Sequence, residues 1–386
     1  MNKNTSFEVA FGISGSISAY KSLDVIRHLR KKKIHITPIL SDSAHQFVTP
    51  WSVETLAESP LIQADVHSGK ITHLDVIKSA NLFIICPASA NMIAKLSTGH
   101  CNDLLSASFL SFTGNRMVFP AMHTEMYENS ITQSNLERLK QQGIIVVTPD
   151  EGALACGDTG RGRLPEPTII SQLIQAHLFK SLPLNGMAIT ITCGGTSEPI
   201  DPVRHIGNLG SGISGHVMAN LAASYGAKVT LIRSKKHPIL SSIHCIDVNT
   251  AADIRDAVLT QTCDALIMNA AVSDFTLTAQ EKKQSRGCSL NLTLSPTEDI
   301  LKAFNQKKPP HCKSIGFCLS DEDNLTGIAQ NKRIQKGCDV MIANNSKNFG
   351  REHRSFHVIT SRGTRSFKNL TLEETGIEIL STLVGA

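Results

Sequence analysis

The sequence predicts an α/β protein of two domains, each a mainly parallel sheet covered by helices on both faces. Three observations carry that expectation. Short β-branched or apolar runs alternate with longer segments in which apolar residues recur at helical spacing. A glycine-rich stretch follows a strand and leads into a helix twice, at Gly12–Ser18 and again within Ile189–Gly215. The chain of 386 residues is longer than one core ordinarily organises.

Taken in order, Phe7–Phe11 is the first expected strand. The small residues Gly12–Ser18 follow it, then a helix over Ala19–Arg30 with Ala19, Leu23, Ile26 and Leu29 on one face. Ile34–Leu40 is the next strand, and Ser41-Asp42-Ser43 a turn or helix cap. Leu82–Cys86, Met117–Phe119 and Ile144–Val147 read as apolar strands ended by Pro87, Pro120 and Pro149. Residues 149–167 carry four glycines and two prolines beyond Pro149 with no periodicity, and read as a long functional loop. Ile169–Phe179 closes the first domain, and Lys180–Gly186 is a linker. The alternation then resumes with strands at Ile189–Thr192, Lys228–Ile232, Ile243–Asp247, Ala265–Asn269, Leu290–Leu294, Ser314–Phe317, Asp339–Ala343 and Phe356–Thr360. Helices are expected at His216–Tyr225, Ala251–Leu259, Glu298–Phe304, Leu325–Lys336 and Leu372–Leu383. The halves, 1–181 and 182–386, read as two separate Rossmann-like units rather than copies of one repeat.

Composition narrows the function. An apolar fraction of 41% supports real cores, yet no uncharged apolar run is long enough to span a membrane. The start of the chain lacks the apolar stretch of a signal peptide. Ten scattered cysteines without a CxxC pair fit a reducing cytoplasm better than a disulfide framework. The net charge of +5 is mild, and Lys31–Lys33 reads as the solvated end of a helix. No basic stripe is interleaved with aromatics, so nucleic acid is not an expected partner.

Six places hold candidate chemistry. Gly12-Ile13-Ser14-Gly15-Ser16 follows its strand directly and opens a helix, a phosphate-binding arrangement that lacks the lysine of a P-loop; a plain tight turn is the alternative. Gly210–Gly215 spells GxGxxG, which admits an NAD(P)-dependent oxidoreductase. Its strand ends well upstream, however, and Lys235-Lys236 stand where a ribose-binding acid belongs. His73, in Thr72-His73-Leu74-Asp75, is either a surface histidine or an acid–base group. Cys156 sits among glycines with Arg161 and Arg163 nearby, which favours a thiolate, or else happens to lie in a loop. Asp274 follows an apolar strand, where α/β sheets bind ligands, and is either a Mg²⁺ carrier on a triphosphate or a cap. Lys332 and Lys336 share one helix face, as a clamp or as an ordinary solvated face.

Longer motifs then carry a resemblance over nearly the whole chain. GISGSISAYK at 12–21, THLDVIKSA at 72–80, PASANMIAKL at 87–96, PAMHTEM at 120–126 and ACGDTGRGRL at 155–164 resemble the flavin-dependent cysteine decarboxylases. TCGGTSEPIDPVRHIGN at 192–208, NAAVSDF at 269–275, IGF at 315–317 and KRIQKGCDVMIAN at 332–344 resemble phosphopantothenate–cysteine ligases. Together they are similar to the bifunctional phosphopantothenoylcysteine decarboxylase / phosphopantothenate–cysteine ligase family of coenzyme A biosynthesis.

The resemblance implies a flavodoxin-like FMN decarboxylase domain followed by a ligase domain. It implies 4'-phosphopantothenate, L-cysteine and CTP as substrates, Mg²⁺ as metal, and ligation through an acyl-cytidylate. On this resemblance Gly12, Ser14, Gly15, Ser16, Ser41, Ser89 and Asn91 hold FMN, and His73 and Cys156 are catalytic. His123, Met126 and Arg163 bind substrate. Ala270, Asp274, Lys282, Asp299, Phe317, Lys332 and Lys336 bind CTP, Asp274 carries the metal, and Asn208 acts on the acyl-cytidylate. Trimeric decarboxylase units and dimeric ligase units, together a dodecamer, are also implied.

The chain departs from the family pattern at named places. His123 stands where a substrate-binding Asn is expected, Leu209-Gly210 replace His-Ser, and a Lys-x-Lys-Lys run shrinks to Lys282-Lys283. Thr297-Glu298-Asp299 replaces Asn-Pro-Asp, and Cys318–Asp321 replaces Ala-Ala-Glu-Thr. These departures keep open a flavin decarboxylase with an inactive, scaffolding ligase half.

Overall fold

The computed structural model describes residues 7–62, 78–153, 157–180, 182–283, 290–346 and 353–385. The chain divides into two compact units, Met1–Phe179 and Lys180–Ala386.

The first unit is built on a five-stranded parallel sheet: β1 (Glu8–Ile13), β2 (His35–Leu40), β3 (Leu82–Ala88), β4 (Asn115–Pro120) and β5 (Ile145–Val146), in the order β2-β1-β3-β4-β5. Helices α1 (Ala19–Lys31), α2 (Pro50–Ala57), α3 (Ala90–Thr98), α4 (Leu104–Ser111), α5 (Thr124–Glu128), α6 (Ser130–Gln141) and α7 (Pro167–Phe179) belong to the same unit. The chain moves outward from β1 to β2, then returns to lay β3 on the other side of β1. That reversal opens a crevice at the carboxyl ends of β1 and β3, the usual ligand position in such sheets. β3 is buried along its whole length, as an apolar run in a doubly covered sheet should be. Phe83 of β3 meets Phe109 and Phe112 edge-on at 5.2 and 5.8 Å, which fixes α4 against the sheet. Pro38 is tolerated inside β2 because β2 is an edge strand.

Two expectations need correction here. β3 and β4 run through Pro87 and Pro120 rather than stopping before them. Residues 149–167 hold an antiparallel hairpin, β6 (Asp150–Ala153) with β7 (Thr159–Arg163), rather than a structureless loop. The ladder is made by backbone groups, so its glycine-rich strands leave no side-chain period to read.

The second unit holds an eight-stranded sheet in the order β12-β11-β8-β13-β16-β17-β18-β19. Its strands are β8 (Ala188–Cys193), β11 (Lys228–Arg233), β12 (His244–Asp247), β13 (Ala265–Met268), β16 (Lys313–Leu319), β17 (Val340–Asn344), β18 (Arg354–Thr360) and β19 (Gly363–Leu370). They are parallel from β12 through β17, and the last two run antiparallel. The helices are α8 (Ile213–Ser224), α9 (Ala251–Leu259), α10 (Ile300–Lys307), α11 (Leu325–Lys336) and α12 (Leu372–Ser381). Two short ladders lie outside the sheet: β9 (Ser197–Pro199) with β10 (His205–Gly207), and β14 (Phe275–Thr276) with β15 (Ser295–Pro296).

Leu290–Leu294 is not a strand. Its alternating leucines stay part-exposed, at 40%, 36% and 38%, and no ladder pairs with them. The polar sequence of β19 hid an edge strand whose partner is β18 and whose other side faces water.

Candidate active sites

In the first unit, the turn Ser14–Ser18 joins β1 to α1 at the crevice. The Ser14 side chain is 1% exposed. Its hydroxyl donates to the Pro87 carbonyl at 2.8 Å and accepts from the Ser89 amide at 2.9 Å. Ser22 Oγ donates to the Cys86 carbonyl at 2.7 Å. These bonds tie the turn and α1 to the end of β3, so the Ser14 hydroxyl is committed to the scaffold. Among the described residues the amides of Gly15, Ser16 and Ile17 make no hydrogen bond. Three unpaired N–H groups ahead of a helix suit a phosphate. A Cβ on Gly15 would stand 2.4 Å from Ser43 Oγ, so this turn touches the one after β2, where Ser41 Oγ lies 3.2 Å from Ser43 Oγ. Ser89 caps α3 by accepting from the Met92 amide, and Asn91 is exposed in the first turn of that helix. The seven expected flavin-site residues thus gather on one sheet edge. Open amides, hydroxyls and a glycine cradle fit a phosphate-bearing flavin.

His73 and Cys156 lie outside the described residues. His123 caps α5, its Nδ1 accepting from the Glu125 amide at 3.4 Å. Its Nε2 lies 3.0 Å from Asp158 Oδ2. Met126 is 51% exposed on α5. Arg163, at the end of β7, pairs with Glu166, and Glu166 also lies 3.5 Å from Lys21 Nζ on α1. Sequence reasoning missed both acids: Asp158 meets His123 and Glu166 meets Lys21 across the fold, and the local Arg163–Glu166 pair carries no pattern.

In the second unit, Ala270, Asp274, Asp299, Phe317 and Lys336 line one cavity of about 260 Å³. Asp299 caps α10 through the Lys302 amide and also takes Lys336 Nζ at 2.7 Å. Lys332 is half-buried one helical turn before Lys336, and Lys282 is exposed; neither lines the cavity. The loop after β13 is held from β8 and the turn beyond it. Thr192 Oγ1 accepts from the Ala270 amide at 3.1 Å, and Thr196 Oγ1 accepts from the Ser273 amide at 2.8 Å. Asn208 Nδ2 donates to the Val272 carbonyl at 3.0 Å, which brings Asn208 to the same loop. A Cβ on Gly195 would stand 2.1 Å from the Asn208 carbonyl oxygen, so only glycine lets these backbones cross. Glu198, 2% exposed, accepts from the Ala251 amide at 2.8 Å and from Thr276 Oγ1 at 2.9 Å. No sequence pattern marked this acid, which anchors the loop carrying Asp274.

The glycine fingerprint at 210–215 serves packing. Gly212 takes a left-handed conformation at the start of α8, and a Cβ on Gly215 would strike Cys193 at 2.3 Å. Burial pushes the Cys86 and Cys193 thiols up to about 12 and the Cys338 thiol to about 11, so these are inert core residues.

A family model for flavoproteins matches residues 1–179, and a model for the C-terminal domain of DNA/pantothenate metabolism flavoproteins matches residues 184–385. The chain is 32% identical over 373 residues to the coenzyme A biosynthesis bifunctional protein CoaBC of Escherichia coli strain K12, covering 93% of this chain and 92% of that protein. It is 35% identical over 349 residues to the CoaBC protein of Bacillus subtilis strain 168, covering 87% and 85%. A cysteine/cysteine sulfinic acid decarboxylase from an unknown prokaryotic organism is 35% identical over 355 residues, covering 87% of this chain and 99% of that protein. Among solved structures, the C-terminal domain of a CoaBC protein aligns at 29% identity and a TM-score of 0.45, covering 52% of this chain and 95% of that one.

Proposed function

The chain belongs to the family of bifunctional coenzyme A biosynthesis proteins, and on that premise we propose that it makes 4'-phosphopantetheine in two steps. Residues 182–386 join 4'-phosphopantothenate to L-cysteine with CTP. Residues 1–181 then decarboxylate the 4'-phosphopantothenoylcysteine. The single observation that supports the ligase step best is the shared cavity of Ala270, Asp274, Asp299, Phe317 and Lys336.

In the ligase step the substrate carboxylate attacks the α-phosphorus of CTP, and pyrophosphate leaves. The cysteine amine then displaces CMP from the acyl-cytidylate beside Asn208. Lys336, with Lys332 one turn away and Lys282 on a neighbouring segment, neutralises the charge that grows on the leaving group. Phe317 offers a flat apolar face to the base. Asp274, exposed at the cavity mouth, supplies a carboxylate for Mg²⁺. Among the described residues no three His, Cys, Asp or Glu side chains could hold a metal together. A hard cation carried mainly by phosphate oxygens fits that donor set.

In the decarboxylase step, FMN held by Gly12, Gly15, Ser16, Ser41, Ser89 and Asn91, on a turn that Ser14 fastens to the sheet, would supply the thiol oxidation that lets carbon dioxide leave and the reduction that ends the turnover. His73 orients the carboxylate or acts as base, and Cys156 donates the last proton. Met126 and Arg163 border the substrate, while His123, which the resemblance expects there, turns both ring nitrogens to protein groups. The resemblance implies a homo-oligomer of trimeric decarboxylase and dimeric ligase units. The free cysteines support a cytoplasmic setting.

A second reading, a flavin decarboxylase with a scaffolding ligase half, is favoured by the full-length relative named only as a decarboxylase. One assay separates the two. Purified protein is given 4'-phosphopantothenate, cysteine, Mg²⁺ and either CTP or ATP, and products are identified by mass. CMP together with 4'-phosphopantetheine supports the first reading. Decarboxylation of supplied 4'-phosphopantothenoylcysteine without CMP formation selects the second.

A further inference from the structure

The turn at 121–124 and the hairpin β6–β7 meet in three ways. The Met122 amide donates to the Gly162 carbonyl at 3.0 Å. The backbones press together, since a Cβ on Gly160 would stand 2.3 Å from Thr124 Oγ1 and one on Gly162 would stand 2.2 Å from the Met122 carbonyl oxygen. The third contact is His123 Nε2 to Asp158 Oδ2 at 3.0 Å. The Glu125 amide donates to Nδ1 of the same ring, so Nε2 carries the proton and donates to the carboxylate. Both ring nitrogens are therefore occupied. Asparagine, which the resemblance expects at this position, would cap α5 equally well with its Oδ1. Its donor, however, would sit one bond nearer the backbone and farther from Asp158. The substitution thus keeps the cap and extends the donor toward the hairpin. Asp158 is two residues beyond Cys156 in the chain.

We propose that His123 is a positioning residue for the decarboxylase: with Asp158 it latches the returning arm of the hairpin, Gly157–Arg163, to the turn at 121–124, and so fixes the arm that carries Arg163. The functional half of this inference rests on the decarboxylase reading above; the latch itself does not. The two side chains are 33% and 68% exposed, so the bond is modest and acts together with the backbone contacts.

Hydrogen exchange at the Met122 amide reads the latch without turnover. His123→Asn keeps the cap and withdraws the donor; Asp158→Asn removes the acceptor charge. Each is expected to speed exchange about two- to five-fold, with the double variant no faster than the faster single. In decarboxylation of supplied 4'-phosphopantothenoylcysteine, the same variants lower kcat by a similar factor, leave KM within a factor of about two, and keep their FMN. Unchanged exchange in both singles, or losses that multiply in the double variant, overturns the latch. A KM increase confined to His123→Asn also overturns it, in favour of direct contact with substrate. A wild-type protein without turnover removes the decarboxylase reading, and exchange alone then decides the latch.

Discussion

On the proposed function, the two units would hold phosphate-bearing molecules by opposite means. In the first, the turn Gly12–Ser18 presents amides and hydroxyls and carries no charged side chain, and the buried Ser14 hydroxyl fastens it to β3. In the second, Asp274, Asp299 and Lys336 gather charge on one cavity, and Lys336 rests on Asp299. The difference teaches what each site is for. A cofactor that stays bound needs a neutral, preorganised cradle. A triphosphate that is cleaved needs cations that strengthen as charge builds on the leaving group.

The widest separation between the units is expected from Lys336→Ala. CMP release should fall on the order of 10²–10³-fold, while decarboxylation of supplied intermediate stays intact; steady-state rates of both steps check it. A parallel loss in both steps would show that the units are not independent. Next comes Cys156→Ser. Formation of 4'-phosphopantetheine should fall about 10²-fold or more while flavin stays bound, and the decarboxylated enethiol that awaits the last proton should be found by mass.

Smaller effects probe the scaffolds. Ser14→Ala strands the Ser89 amide in a buried place, while the Pro87 carbonyl keeps the Ser14 amide at 3.2 Å, at a cost of about 1–3 kcal/mol. Urea midpoints of the first unit's transition measure it. Because no titrating group takes part, that cost should be the same at pH 7 and at acid pH. Asp253 in the second unit behaves differently. Its carboxyl is held below the usual carboxylate range, chiefly by the Thr250 amide at the head of α9. A carboxyl depressed by folding adds stability above its unfolded pKa and loses it as pH falls through the folded value. Asp253→Asn should therefore cost less than about 1 kcal/mol at pH 7 and nothing once the carboxyl is protonated. An equal cost at both pH values would mean that charge is not what holds the helix start.

Much of this was legible in the sequence because it rests on chain order. Strands β1, β3 and β13 are short and apolar, and the expected residues Ser16, Ser89, Ala270 and Asp274 lie just past their ends; Asp299, Phe317 and Lys336 reach the same cavity from a helix cap, a strand and a helix end, on motifs rather than on chain order. What escaped depends on partners distant in sequence. Ser14 reads as a phosphate ligand, yet its hydroxyl is spent on Pro87, 73 residues away. Glu198 carries no pattern, and its role appears only when Ala251 and Thr276 close around it. The hairpin at 150–163 is a backbone ladder, so glycine-rich composition concealed it. The alternation in Leu290–Leu294 imitates a strand, but among the described residues no ladder pairs with it.

Complementation between two damaged chains tests the central claim most directly: two independent active sites linked by a diffusible intermediate. Lys336→Ala and Cys156→Ser proteins are mixed with 4'-phosphopantothenate, cysteine, CTP and Mg²⁺, and 4'-phosphopantetheine is measured by mass. Each alone is expected to yield little, and the mixture to restore its formation, with 4'-phosphopantothenoylcysteine passing from one protein to the other. A mixture that forms neither CMP nor 4'-phosphopantetheine, while unaltered protein forms both, would contradict the account.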